Sequence, residues 1–140
     1  MQYRIALGYG IAAWGALFAA VHFYWAAGGT AIVTGDESGG AGGWAAAYIA
    51  FVAVLGLVAG FVGLALGREA PSPVSRRTLV RVARLGAALL LFGVAIAAVR
   101  LAAGTDDDWS RDPVATATIT LYFLLGGVLL ALAARAGASK

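Results

Sequence analysis

Four long runs of apolar residues, almost free of charge, are separated by short segments in which the charges gather. A helix needs about 20 such residues to cross the hydrocarbon core of a bilayer. The first run extends from Ile5 to Gly28, with His22 as its one side chain that titrates near neutral pH. The second, Trp44 to Gly67, carries no charge. The third centres on Leu85–Val99, an uncharged stretch of 15 residues bracketed by Arg84 and Arg100. Long arginine side chains reach back to the interfaces, which extends this span to Leu79–Gly104. The fourth covers Val114 to Ala134. Open strands leave backbone groups unpaired in lipid, so each run is read as a helix. The pattern predicts an all-α, four-helix transmembrane bundle, up-down-up-down, forming one integral membrane domain over residues 1–140.

The polar segments orient it. Arg4, Arg68, Arg76, Arg77, Arg81, Arg84, Arg135 and Lys140 fall on one side, whereas Asp36, Glu37, Asp106, Asp107, Asp108 and Asp112 fall on the other with Arg111 and the edge residue Arg100. Short loops rich in Lys and Arg stay in the cytoplasm. The expectation is a multi-pass protein of the cell membrane, a bacterial inner membrane, with both termini cytoplasmic. Composition agrees: 61% of residues are hydrophobic and 12% charged, against about 25% charged in soluble domains. The net charge of +3 follows from the topology, so the bilayer, not nucleic acid, is the expected partner. The first run is too long for the apolar stretch of a cleaved signal peptide, and Tyr24 and Trp25 close it as an interfacial anchor would. Thr34–Gly43 reads as a flexible external connection, and Pro71 and Pro73 break the chain in the cytoplasmic loop.

Small residues mark where membrane helices approach closely. Gly8, Ala12, Gly15, Ala19, His22 and Ala26 recur at spacings of four and three and form one stripe, which turns His22 toward the bundle. Gly56, Gly60, Gly63 and Gly67 form two successive G-x-x-x-G motifs, a helix-packing face for a contact within or between chains. Trp14, Phe18, Val21 and Trp25 make a bulky stripe expected to face lipid or a partner. A shift of 78 residues aligns Leu7–Phe23 with Leu85–Leu101 at six of seventeen positions, including Gly8/Gly86 and Gly15/Gly93. That places His22 opposite Arg100 and describes a parallel repeat of two helical hairpins.

Few residues invite chemistry. His22 is the single histidine, open to reading as a proton-handling or ligand-binding group, or as a neutral ring bonded to a neighbouring helix. Arg100 is read as an interfacial arginine paired with Asp106–Asp108, or as a fixed positive charge in an outward pocket shared with His22 and Trp25. The aspartates lack the glycine turn and terminal glutamate of a calcium loop and fit a solvated acidic segment. Asp112-Pro113 has the form of a helix start, with Asp112 as N-cap. The absence of cysteine excludes disulfides and thiolate metal sites, and one histidine cannot supply two axial haem ligands. No carboxylate lies within a span, and no phosphate loop, nucleophile elbow or metal-ligand cluster appears, so no metal, no cofactor and no enzymatic activity are expected.

The segment His22-Phe23-Tyr24-Trp25-Ala26-Ala27-Gly28-Gly29 resembles the H-x-x-W-A-x-G-G signature of a family of small bacterial four-helix membrane proteins of unknown function. The resemblance implies a four-helix membrane fold, with His22 and Trp25 as pattern positions, and no assigned activity. The expected function is therefore a non-enzymatic membrane component, an accessory subunit of a larger complex or a homo-oligomer. The competing expectation is a small transporter or ligand-binding protein. Its outward pocket around His22, Trp25 and Arg100 would take an anion or a lipid head group.

Overall fold

The computed structural model describes residues 2–29, 43–68, 72–103 and 113–138. They form four α-helices: α1 (Gln2–Ala26), α2 (Trp44–Gly67), α3 (Arg76–Ala103) and α4 (Pro113–Ala138). All four are long and apolar enough to cross a membrane, and they pack as a bundle of two antiparallel hairpins, α1 on α2 and α3 on α4. The hairpins join through α1 against α4 and through α2 against both α3 and α4.

α2 coincides with the predicted run, and the others differ at their ends. α3 begins three residues before the predicted Leu79, because Ser75 caps it. The Thr78 amide donates to Ser75 Oγ at 3.2 Å and the Leu79 amide to the Ser75 carbonyl at 3.0 Å. α4 starts at Pro113, whose missing N–H is no loss in a first turn, and it runs on past Ala134 to Ala138. The proposed cap Asp112 and the two acidic loops lie outside the described residues.

The helices bury two different layers. At the end where the chain termini lie, Leu7 and Ile11 of α1, Val62 and Leu66 of α2, Leu79, Val80, Ala83 and Ala87 of α3, and Leu130, Ala133 and Ala134 of α4 meet in one aliphatic core. Toward the other end the interior is aromatic, built from Trp14, Phe18, Tyr122 and Phe123. α3 contributes little to that second layer, since Phe92, Ile96 and Val99 are all exposed.

The α1–α2 hairpin closes backbone to backbone. A Cβ added to Gly8 would stand 2.8 Å from the Gly63 carbonyl oxygen and 3.0 Å from Gly67 Cα; one on Gly15 would stand 3.2 Å from Gly60 Cα. The small-residue stripe of α1 and the glycine stripe of α2 are thus the two faces of one seam within the chain. In the second hairpin the glycines receive side chains instead. Gly86 faces Leu130, and Gly93 faces Phe123. The glycine pairs aligned by the 78-residue shift therefore both turn toward the hairpin partner, but against surfaces of different build.

At the termini end each hairpin is latched by an arginine. Arg4 Nη2 donates to the Leu66 carbonyl at 3.4 Å, and Arg76 Nε donates to the Gly137 carbonyl at 3.0 Å. Both carbonyls belong to the last turn of a helix, where intrahelical donors run out and a positive charge is favoured. Each guanidinium also keeps a buried N–H with no acceptor among the described residues, at Arg4 Nε and Arg76 Nη2.

Candidate functional site

His22 lies one turn before the end of α1, half-buried, on the stripe that turns inward. Its Nδ1 is 2.8 Å from the carbonyl oxygen of Phe18, four residues back in the same helix. A carbonyl only accepts, so Nδ1 carries a proton and donates. The bond is made within α1, not to a neighbouring helix as one reading of the sequence had it. In the neutral ring Nε2 is then a bare acceptor. The imidazole is stacked on Phe18 with centroids 4.1 Å apart, and Trp25 meets it edge-on at 5.1 Å. The structure thus brings His22 and Trp25 together. Arg100 stands at the same end of the bundle, exposed in the last turn of α3, and its expected partners Asp106–Asp108 lie outside the described residues.

The residues from Trp25 to Gly29 end the helix. Gly28 adopts φ 93°, a left-handed conformation that glycine takes without steric cost. The Gly28 amide donates to the Trp25 carbonyl at 3.0 Å and the Gly29 amide to the Tyr24 carbonyl at 2.9 Å. These are the paired bonds of a Schellman motif, which satisfy carbonyls that no helical donor reaches. Gly29 lies under the Tyr24 ring, where a Cβ would collide with it. Gly28 and Gly29 therefore have a local structural reason, whereas His22 and Trp25 carry side chains beyond what the turn requires.

The bulky stripe of α1 corrects an expectation. Trp14 and Phe18 are each only 6% exposed, and they pack on α4, not on lipid. The Trp14 indole N–H donates to the Tyr122 carbonyl at 3.1 Å, and the Tyr122 hydroxyl donates to the Trp14 carbonyl at 2.7 Å. Their rings stack at 5.4 Å, with Phe18 at 5.3 Å from Trp14 and 6.0 Å from Tyr122. Gly126 leaves the space that the Trp14 indole fills, since a Cβ there would overlap the ring. The physical reason is that α1 has two neighbours and buries two stripes, small residues on α2 and large ones on α4. Tyr122 and Gly126 gave no signal as a site in the sequence. The only available cue was a tyrosine four residues before a glycine in an otherwise apolar span, and that names no partner.

A cavity of about 10 Å³ lies at the termini end, lined by Arg4, Gly8, Gly63, Leu66, Ala133 and Ala136. It is about the size of one water molecule. Gly56, Gly60, Gly63 and Gly67 all face α1. Among the described residues no three metal-ligating side chains come together. Compared with known proteins, the chain matches no family model, no curated protein and no solved structure.

Proposed function

We propose that this multi-pass protein is a non-enzymatic component of the cell membrane, working as a homo-oligomer or as an accessory subunit of a larger membrane complex, with both termini in the cytoplasm. The observation that supports this reading is the closed interior. Trp14 and Tyr122 spend their polar hydrogens on each other's backbone, and the Gly8–Gly15 seam brings two helices into backbone contact. Groups so engaged brace a scaffold, and the exposed helix faces and loops remain for partners. The charge split between the loops supports the orientation. Purification in mild detergent, followed by mass determination and identification of co-purifying proteins, tests the proposal. A stable oligomer or a stoichiometric partner is expected; a monodisperse monomer with no partner overturns it.

A second reading rests on the contact between His22 and Trp25. Nε2 of His22, which donates to an anion when the ring takes up a second proton, belongs to a ring whose centroid lies 5.1 Å from that of Trp25, at the bundle end that also carries Arg100. That combination suits an anion or a lipid head group entering from outside. Binding of candidate anions and lipids to wild type, His22→Ala and Arg100→Gln decides it. Indistinguishable binding by all three removes the pocket.

A further inference from the structure

α3 is the longest helix, 28 residues, or about 42 Å at 1.5 Å per residue. That exceeds the roughly 30 Å hydrocarbon thickness by about 12 Å, the rise from Arg76 to Arg84, so these first two and a half turns reach the head-group region at the end where both termini lie. These turns carry Arg76, Arg77, Arg81 and Arg84, and the four divide by direction. Arg76 turns inward and latches the Gly137 carbonyl. Arg77, Arg81 and Arg84 are exposed, and among the described residues none has a hydrogen-bond or ionic partner. Their spacing of four and three sets them on one face, about 6 Å and 4.5 Å apart along the axis. The helix continues below them as an exposed apolar surface, with Leu85 65%, Leu89 69% and Phe92 65% exposed.

We propose that Arg77, Arg81 and Arg84 form a binding site for the phosphate of an anionic phospholipid, whose acyl chains lie along Leu85, Leu89 and Phe92. Three exposed guanidinium forks at head-group depth present planar pairs of N–H donors, which match phosphate oxygens two at a time. The exposed apolar surface that starts one turn below Arg81, at Leu85, continues toward the bilayer interior, which a free phosphate would not use and a lipid would. Basic clusters at the membrane boundary draw anionic lipids by the same forces. The inference is independent of the oligomer reading, because it needs only that these arginines stand at the membrane–water boundary.

The test uses full-length protein purified in detergent, offered an equimolar mixture of phosphatidylglycerol and phosphatidylcholine, with retained lipid counted by native mass spectrometry. Wild type is expected to retain phosphatidylglycerol preferentially. In R77Q/R81Q/R84Q that preference falls on the order of tenfold to a hundredfold. R77K/R81K/R84K keeps the charge but not the fork and falls in between. R68Q/R135Q removes two exposed charges from the same end, off the stripe, and retains the wild-type preference. Circular dichroism confirms that each variant is folded, and R77Q/R81Q replaces the triple variant if that one is not. A wild type without preference overturns the site. So does a triple variant that binds as wild type, or an equal loss in R68Q/R135Q, which would reduce the effect to net charge.

Discussion

Gly63 and Gly60 stand one turn apart on the same stripe of α2, yet alanine should act on them in opposite directions. A Cβ at Gly63 would lie 2.6 Å from Cγ2 of Ile11 and 3.2 Å from the Gly8 carbonyl oxygen. Carbon atoms settle at about 3.5–4.0 Å, so the seam must open by roughly 1 Å. Ile11 cannot yield, being fully buried and held to few rotamers by its branched Cβ. A gap of that size forfeits about a quarter to a half of each dispersion contact along the seam, and overpacking of this kind costs about 1–3 kcal/mol. A Cβ at Gly60, by contrast, would meet Ala12 Cα at 3.5 Å, an ordinary contact. There the substitution gains up to about 1 kcal/mol in helix propensity. Thermal unfolding of both variants in one detergent, followed by far-ultraviolet circular dichroism, should place Gly63→Ala several degrees below wild type and Gly60→Ala at or above it. Equal stability of the two variants would refute the backbone-contact reasoning.

Trp14→Phe and Tyr122→Phe each delete one donor of the α1–α4 clamp while keeping a ring in place; each should cost about 0.5–1.5 kcal/mol, read from detergent unfolding, and no loss in either would mean that the bonds contribute nothing. Gly126→Ala should destabilise by about 1–3 kcal/mol by expelling the Trp14 indole, with a change in tryptophan fluorescence as the second readout. Cysteines at Ser38 and Thr105 should react with an impermeant reagent outside intact cells, and one at Ser75 should not; labelling of Ser75 from outside would invert the topology.

Span number and helical class were legible because bilayer thickness sets a length that the four apolar runs meet. Helix ends were less so. Hydropathy reports where lipid stops, whereas Ser75 and Pro113 show where helical hydrogen bonding begins. The inward stripe of α1 and the glycine stripe of α2 could both be read from spacing, but nothing in either says that it meets the other. Trp14 failed for the same reason. Bulk at helical spacing defines a face, and its partner Tyr122 lies 108 residues away, beyond any local pattern. At the proposed pocket the sequence located His22 and Trp25 on adjoining turns, and their contact follows from i, i+3 geometry. It could not reveal that Phe18 takes up Nδ1, because histidine has two nitrogens and the choice between own and neighbouring helix is made by packing.

The Trp14–Tyr122 clamp also dates the completion of the bundle during synthesis. α1 and α2 hold everything needed to zip along their glycines once Gly67 has been inserted. The surface of α1 that receives α4 must wait until Ala138 has been added, roughly 4–14 s later at 5–20 residues per second. Throughout that interval the indole N–H of Trp14 lacks the acceptor that Tyr122 supplies. A nascent chain stalled before α4 thus carries a polar mark in its first helix, and arrival of the last helix erases it.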